Sequence, residues 1–282
     1  MELLQFTKMH GTGNDFIMIN GFNYQINNLN KVAKKICDRH FGIGGDGLIL
    51  ILPPENKEND YRMKIFNSDG SEAEMCGNGI RCFAHFLKNE KLTKKLEFKI
   101  ETLAGIITTK IIDTGSNKSQ VKVNMGKPKF KAEEIPVNID GNLNYLKEYP
   151  LEIEKQKFNI NCVSMGNPHS IIFVKEIDKY SLEKWGPLIE NHLIFPEKTN
   201  VEFIKILKKD EIIMRVWERG SGITLACGTG ATASVVAGIK NGLLDNKVLV
   251  YLPGGDLVIE WFGDNAYMTG PAETVFTGEV NV

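Results

Sequence analysis

The 282-residue chain has little of what marks membrane, secreted or nucleic-acid-binding proteins. Its longest purely aliphatic run is Leu48 to Leu52, far shorter than the ~20 residues that a membrane-spanning helix needs. The segment Met1 to His10 has no basic region followed by a long apolar run, so no signal peptide is expected. The 34 basic and 35 acidic residues nearly balance, which gives no support for a nucleic-acid partner. We therefore expect a cytoplasmic globular protein that binds neither membranes nor nucleic acids.

Cysteine is scarce as well. The five cysteines are an odd number, and no two of them form a Cys-x-x-Cys pair. A disulfide framework and a structural zinc site are therefore not expected, and we expect no metal. The stretch 42–47 fits Gly-x-Gly-x-x-Gly, but the run that follows it is typical of a strand rather than a helix. This stretch therefore predicts no dinucleotide site.

An internal repeat is the most informative pattern that is present. The segment 63–67 reads Met-Lys-Ile-Phe-Asn and ends nine residues before Cys76. The segment 214–218 reads Met-Arg-Val-Trp-Glu and ends nine residues before Cys227. Each cysteine then opens a Cys-Gly-x-Gly sequence. Both segments alternate as half-buried strands do.

The repeat extends towards the N-terminal side of each cysteine. A Gly-Asn pair followed by an apolar run precedes both of them, with Asn14 lying 62 residues before Cys76 and Asn167 lying 60 residues before Cys227. Length alone also favours two domains. We therefore expect two homologous halves, with the break in the polar, proline-containing stretch around 127–149.

The remaining pattern predicts mostly strands, with two buried helices directly after the cysteines. Peripheral helices with polar faces are expected at Asn30–His40 and Ser181–His192, whereas Ile80–Leu87 and Ala231–Ile239 are apolar almost all round, as buried helices are. Strands are expected at Leu3–Met9, Glu97–Glu101, Ile106–Ile112, Gln120–Asn124 and Glu211–Glu218, with a hairpin at Val248–Trp261. The predicted fold class is α/β (α+β), with two pseudo-symmetric domains, each a strand-rich, barrel-like sheet around a central helix.

Two cysteines at helix starts point to acid–base chemistry. The first helical turn carries unpaired N–H groups and a partial positive charge, and a thiol pKa of ~8.5 can fall to ~3.5–7.5 there. We expect both Cys76 and Cys227 to be easier to ionise for this reason. If the two helix starts face one bound amino acid in a cleft between the domains, a thiolate removes its α-proton and a thiol protonates the opposite face. The alternative from the same residues is a redox pair.

Longer motifs around these cysteines resemble diaminopimelate epimerase, from Lys8 to about Gly278. The first is Lys8-Met9-His10-Gly11-Thr12-Gly13-Asn14-Asp15-Phe16, and the second is Asn67-Ser68-Asp69-Gly70-Ser71-Glu72-Ala73-Glu74-Met75-Cys76-Gly77-Asn78-Gly79-Ile80-Arg81-Cys82. The others are Gly166-Asn167-Pro168-His169, Thr199-Asn200-Val201-Glu202-Phe203, Glu218-Arg219-Gly220-Ser221-Gly222 and Ala226-Cys227-Gly228-Thr229-Gly230-Ala231. In combination these motifs are highly specific.

The resemblance implies interconversion of LL- and meso-diaminopimelate, in lysine biosynthesis, without pyridoxal phosphate, any other cofactor or a metal. It implies domains of residues 1–126 with 273–282 and of residues 127–272, with the active site in the cleft between them, in a homodimer. It implies catalytic roles for the residues Cys76, Cys227, His169 and Glu218. It implies substrate-binding roles for the residues Asn14, Asn67, Gly77, Asn78, Asn167, Asn200, Glu218, Arg219, Gly228 and Thr229.

Two positions depart from the family pattern. Gly47 stands where some members have a glutamine that contacts substrate, and Phe276 stands where some have a tyrosine at a dimer contact. The runner-up is an isomerase similar to proline racemase, whose members typically have histidine in place of Asn78. An isomerase related to phenazine biosynthesis, a thiol–disulfide redox protein and a binding protein with a degenerate site are further alternatives.

Overall fold

The computed structural model describes residues 3–139, 141 and 143–282. Side-chain alternation produces its strands, as the segment Lys118–Gly126 shows: Ser119, Val121, Val123 and Met125 are buried, and the residues between them are not. Such a segment places one face on a core and the other towards solvent. Within the described residues, no helix is both long and apolar enough to cross a membrane.

The elements of the two halves follow each other in the same order. The first half contains β1 (Leu3–Gly11), β2 (Asn14–Asn20), α1 (Leu29–Ile36), β3 (Gly47–Leu52), β4 (Tyr61–Asn67), β5 (Glu72–Ala73), α2 (Gly77–Asn89), β6 (Glu97–Thr102), β7 (Gly105–Thr114) and β8 (Lys118–Gly126). The second half contains β9 (Tyr149–Ile153), β10 (Gln156–Ser164), β11 (Pro168–Phe173), α3 (Leu182–Glu190), β12 (Asn200–Lys208), β13 (Glu211–Glu218), β14 (Gly222–Ile223), α4 (Gly228–Lys240), β15 (Lys247–Leu252), β16 (Gly255–Trp261) and β17 (Ala266–Asn281).

The chain forms two compact units. The first contains residues 1–124 and 269–282, and the second contains residues 125–268. Strand β17 belongs mostly to the first unit, where it pairs antiparallel with β1 from Leu3↔Asn281 to His10↔Glu273. The C-terminal strand thus completes the sheet that the N-terminal strand begins.

Strand pairing in the first unit closes into an eight-stranded barrel. Going round the barrel, β1 pairs with β2, β2 with β3, β3 with β4, β4 with β6, β6 with β7 and β7 with β8. Strand β17 pairs with both β8 and β1 and so closes the ring. Helix α2 packs against β1, β2, β3, β4 and β7, and every residue from Gly77 to Leu87 is buried. The barrel is therefore filled by one central helix.

Six strand pairs of the first unit recur in the second. The antiparallel pairs β1–β2, β3–β4, β4–β5 and β6–β7 correspond to β10–β11, β12–β13, β13–β14 and β15–β16. The parallel pairs β2–β3 and β4–β6 correspond to β11–β12 and β13–β15. Helix α4 is buried from Ala231 to Gly238 and packs against β10, β11, β12 and β16. The predicted pseudo-symmetric α/β fold class is confirmed.

The buried helices begin earlier than their apolar stretches do. Sequence reasoning predicted Ile80–Leu87 and Ala231–Ile239, whereas α2 and α4 begin at Gly77 and Gly228. The glycines lowered the expected helix propensity. The helices nevertheless include them because each preceding cysteine caps the first turn. Both cysteines therefore lie immediately at a helix start, as the chemical hypothesis requires.

Candidate active site

Cys76 and Cys227 are the N-cap residues of the two central helices. Each has extended backbone geometry, and the Cys76 sulfur accepts a hydrogen bond from the Gly79 N–H at 3.5 Å. The Cys227 sulfur accepts one from the Gly230 N–H at 3.4 Å. Sulfur thus takes the place of the side-chain oxygen that usually satisfies a first-turn N–H group. Each sulfur therefore lies at the positive end of a helix dipole.

Amide side chains lie beside the Cys76 thiol. The Cys76 thiol donates to Asn14 Oδ1 at 3.5 Å, and Asn78 Nδ2 donates to the same oxygen at 3.4 Å. Asn14 Nδ2 donates in turn to Asp46 Oδ2 at 2.7 Å. The structure therefore brings three predicted site residues of the first unit together and fixes the orientation of one amide through Asp46.

A network of ion pairs extends from Asp46, the acceptor of the Asn14 amide. Arg39 donates to Asp46 at 2.8 Å and to Asp15 at 2.7 Å, and the Lys8 ammonium lies 2.5 Å from the Asp15 carboxylate. Burial alone would raise the pKa of Asp15, but hydrogen bonds from Arg39 and Lys8 hold that pKa well below its usual value. Asp15 is therefore ionised, and the network stays intact at neutral pH.

Arg81 holds the first turn of α2 in place. It is fully buried, and its guanidinium donates to Gly77 O, Thr12 Oγ1 and Pro271 O, each at 3.1 Å. Burial lowers its pKa to about 10, so it remains charged at neutral pH. These bonds connect the helix start to the turn that precedes Asn14 and to β17.

A different set of side chains surrounds Cys227. Its sulfur lies 3.5 Å from Thr229 Oγ1, to which Asn167 Nδ2 donates at 3.3 Å. His169 Nε2 lies 3.0 Å from Asn167 Oδ1, and His169 Nδ1 lies 2.7 Å from Glu202 Oε1. Both His169 and Glu202 have fully buried side chains. The second unit therefore joins four predicted site residues and one further carboxyl group in a single hydrogen-bonded chain.

Electrostatics at Cys227 contradict the expectation of an easily ionised thiol. Burial raises the pKa of the Cys227 thiol well above its usual value, and negative charge on Glu218 or Glu202 raises it further. Hydrogen bonds from Thr229 and Gly230 act in the opposite direction but do not compensate. The predicted lowering of this pKa is wrong because loss of solvent outweighs the hydrogen bonds that Thr229 and the helix start supply.

The other predicted binding residues make contacts of their own. Asn200 donates to Pro168 O at 2.8 Å and accepts from the Arg219 N–H at 3.0 Å, while the Arg219 guanidinium donates to Glu197 O. The Glu218 carboxylate accepts a hydrogen bond from the Thr224 hydroxyl. Asn67, at the end of β4, donates to Ser71 Oγ at 2.9 Å. None of these hydrogen bonds involves a cysteine sulfur.

The departure at Gly47 has a steric basis. This residue pairs with Asn67 across β3 and β4, and a Cβ atom placed on Gly47 would lie 2.7 Å from Phe66 O. No side chain fits there unless the backbone shifts. The glutamine contact of some family members is therefore absent from this position.

Sequence reasoning missed three polar residues: Asp46, Arg39 and Glu202. Asp46 lies in the stretch 42–47, which was considered only as a dinucleotide motif, and Arg39 lies in the expected helix Asn30–His40, although the structure has it after α1 ends. A signal for Glu202 was present, because β12 reads Asn-Val-Glu-Phe-Ile and its first five residues are all buried. A carboxyl group within such a strand needs a partner. The partner, His169, could not be identified without the pairing of β11 with β12.

The remaining cysteines lie in the core. Cys37, Cys82 and Cys162 are buried, and all five cysteines are free thiols. Burial raises the pKa of Cys37 to about 11 and that of Cys82 to about 12. Across residues 3–139, 141 and 143–282, no three or more His, Cys, Asp or Glu residues are grouped to hold a metal ion.

Comparison with solved structures shows the same fold in several other proteins. A phenazine biosynthesis protein of the PhzF family from Bacillus anthracis matches with a TM-score of 0.74 and 18% identity, and all of both chains is covered. A hydroxyproline epimerase from Agrobacterium vitis matches with a TM-score of 0.71 and 13% identity, covering 99% of this chain and 92% of the other. At such identities the likeness concerns the fold alone.

Sequence comparison is more specific. The family model for diaminopimelate epimerase matches residues 6–131 and 161–275. Diaminopimelate epimerase from Halothermothrix orenii is 65% identical over 277 residues, with 98% of each chain covered. The enzyme of the same name from Acetivibrio thermocellus is 50% identical over 281 residues, with 99% of each chain covered. The chain therefore belongs to the diaminopimelate epimerase family and is an isomerase of the racemase and epimerase kind.

Proposed function

We propose that the chain interconverts LL-2,6-diaminopimelate and meso-2,6-diaminopimelate by two-base proton transfer at one α-carbon, without pyridoxal phosphate, any other cofactor or a metal. The observation that carries this proposal is the matched pair of N-cap cysteines, Cys76 and Cys227, on the central helices of two repeats. Inversion needs one base and one acid on opposite faces of the carbon. A duplicated fold supplies the base and the acid by placing one N-cap cysteine in each repeat.

The proton inventory of the reaction is balanced. Cys76 as a thiolate removes the α-proton of the substrate and becomes a thiol, and the Cys227 thiol gives its proton to the opposite face and becomes a thiolate. The raised pKa of Cys227 supports its assignment as the acid of the resting enzyme. The reverse reaction starts with Cys76 as the thiol and Cys227 as the thiolate. After the forward reaction, Cys76 loses a proton to solvent and Cys227 takes one up, which restores the resting enzyme.

The helix starts supply the binding site for the reacting end of the substrate. We assign the α-carboxylate to the first-turn N–H groups at Gly77, Asn78, Gly228 and Thr229, because helix N-termini favour anions. The same dipoles stabilise the negative charge that develops as the proton leaves. The cysteine caps bond the N–H groups of Gly79 and Gly230, which follow the N–H groups that we assign to the carboxylate.

The side chains of the proposed site suit a diamino dicarboxylic acid. Carboxylate and amide oxygens of Glu218, Asn14 and Asn67 suit ammonium groups, and Asn167 and Asn200 add further amides. The Arg219 guanidinium can bind the distal carboxylate, because two of its N–H groups can donate in parallel to the two carboxylate oxygens. His169 and Glu218 assist the transfers around Cys227. In this proposal the enzyme acts as a homodimer in the cytoplasm, in lysine biosynthesis.

Exchange of the α-proton with deuterated solvent tests the proposal. The purified protein, dialysed against a chelator and an aldehyde trap that removes pyridoxal phosphate, is incubated with LL-diaminopimelate in D₂O, and proline serves as the parallel substrate. We expect deuterium at the α-carbon of diaminopimelate together with the meso form, and no exchange into proline. Exchange into proline alone would favour the proline-racemase alternative. Activity that returns only with added pyridoxal phosphate would contradict the mechanism.

A further inference from the structure

Glu202 is a buried carboxyl group that the two-thiol mechanism does not use. Its side chain has no exposure, and it is the third residue of β12, opposite Ile171 of β11. Oε1 lies 2.7 Å from His169 Nδ1, whereas Oε2 is buried with no hydrogen-bond partner. A carboxyl group in this position needs an explanation, since a buried charge with one unpaired oxygen is costly.

The carboxyl group packs against the start of α4. A Cβ atom placed on Gly230 would lie 2.6 Å from Glu202 Oε1, so this glycine leaves the space that Oε1 fills. The titratable groups that face Glu202 are His169 from β11, Glu218 from β13, Cys162 from β10 and Cys227 from the cap of α4. Glu202 therefore contacts the histidine and packs against the helix turn that follows the proposed catalytic thiol.

Hydrogen-bond geometry determines where the protons lie. Asn167 donates through Nδ2 to Thr229 Oγ1, so its Oδ1 faces His169 Nε2 as an acceptor. His169 Nε2 must therefore carry a hydrogen. In a neutral ring Nδ1 is then an acceptor, and the hydrogen in its bond to Glu202 comes from the carboxyl group.

The environment of Glu202 favours the protonated form. Burial raises the pKa of the Glu202 carboxyl group, and the charge of Glu218 acts in the same direction, although His169 opposes both. Protonation leaves only a neutral carbonyl oxygen, Oε2, without a partner, which costs less than an unpaired anionic oxygen.

We infer that Glu202 is a protonated positioning residue that donates its O–H to His169 Nδ1 and so holds His169 in its Nε2–H tautomer. That tautomer fixes Asn167, and through it Thr229, beside the Cys227 sulfur. No proton passes to substrate in this role. Only the expected change in kcat/KM rests on the proposed function. The tautomer of His169 does not, because it is a property of the free protein.

The first test is the tautomer of His169, measured by long-range ¹H–¹⁵N NMR on protein with ¹⁵N-labelled histidine. His169→Gln assigns the signal among the five histidines. At neutral pH we expect a neutral ring with the hydrogen on Nε2 in the wild type and in Glu202→Gln, because a carboxamide N–H also donates to Nδ1. An imidazolium ring or an Nδ1–H tautomer in the wild type would overturn the inference, whatever the variants do.

The second test compares two variants of similar volume. Glu202→Gln keeps a donor towards His169, and we expect its kcat/KM to stay within about threefold of the wild type. Glu202→Leu removes the donor, and we expect kcat/KM to fall by about tenfold to a hundredfold, the range for misplaced site groups. Equal loss in both variants would contradict the protonated form, and no loss in Glu202→Leu would contradict the positioning role.

The outcomes separate this inference from the proposed function. If the wild type shows no exchange with diaminopimelate but His169 is the Nε2–H tautomer, the proposed function fails and the assignment of Glu202 stands. If epimerisation is normal and His169 is an imidazolium, the assignment fails alone. Circular dichroism and thermal unfolding of Glu202→Leu show whether a loss of rate comes from loss of fold, and Glu202→Gln remains decisive in that event.

Discussion

The surroundings of Cys76 and Cys227 differ although their backbones match. Each sulfur caps a buried helix at nearly the same distance from the third N–H group. Cys76 is partly exposed and faces an amide that is held by a network of ion pairs, whereas Cys227 is buried and faces carboxyl groups. The two helix starts therefore have the same local geometry, and the neighbouring strands give each thiol different burial and different polar neighbours.

The largest effect is expected when either N-cap cysteine is removed, which tests whether epimerisation needs both halves. Cys76→Ala and Cys227→Ala should each reduce epimerisation by about 10⁴-fold, the upper range for a positioned acid or base. Turnover is measured by chiral separation of the two diastereomers. Cys82→Ala is the matched control, since this residue of α2 is buried in the protein core. The Cys82→Ala variant should keep its activity. Normal turnover in either of the first two variants would show that one thiol suffices.

The ion-pair network of the first half should contribute to stability. Asp15→Asn removes the carboxylate that pairs with Lys8 and Arg39, and we expect the free energy of unfolding to fall by about 2 kcal/mol at pH 7. Because the folded pKa of Asp15 is depressed, its contribution is present above its unfolded pKa of ~3.9 and is lost as the pH falls below that value.

Urea unfolding of the wild type and Asp15→Asn from pH 7 to pH 3 measures this difference. The gap between the two stability curves should begin to narrow as the pH falls below about 4, and it should be smallest at pH 3. The exposed Asp113→Asn serves as the control, and it should change little at any pH. A constant gap between wild type and Asp15→Asn across the whole range would mean that the ionised carboxylate is not the source of the stability.

Removing charge from the second half should make Cys227 more like an ordinary thiol. Glu218→Gln removes a carboxylate that raises the pKa of Cys227, and we expect alkylation of Cys227 by iodoacetamide to become about tenfold faster, the change that one pKa unit produces. Peptide mass spectrometry follows Cys76 and Cys227 separately. In the wild type Cys76 should react first, and its rate should be unchanged in Glu218→Gln. Faster alkylation of Cys227 than of Cys76 in the wild type would reverse the proposed assignment of acid and base.

The smallest effect concerns the amide beside Cys76. Asp46→Asn weakens the acceptor of the Asn14 amide, and a hydrogen bond worth ~1 kcal/mol corresponds to about a fivefold loss of kcat/KM. Asp113→Asn again serves as the control. An unchanged kcat/KM would show that Asn14 keeps its orientation without Asp46, and the two halves would then differ less than their structures indicate.

Sequence reasoning predicted local features more completely than the contacts between them. The spacing of the repeat predicted the shared element order, and the apolar stretches after Cys76 and Cys227 predicted the central helices. The prediction that Cys227 ionises easily was wrong because burial depends on strands that lie far away in sequence. Glu202 was quoted only as part of a motif, since its partner His169 is 33 residues distant and is brought near by parallel strand pairing.

The sequence by itself determined the duplication, the alternation of strands, the two buried helices and the cysteine at the start of each, because these follow from residue type and spacing along the chain. Only the tertiary structure decided which charges surround each thiol. Electrostatic energy depends on distance and solvent access, and strand pairing sets both of these for residues that are remote in sequence. The two thiols therefore share a motif and differ in chemistry.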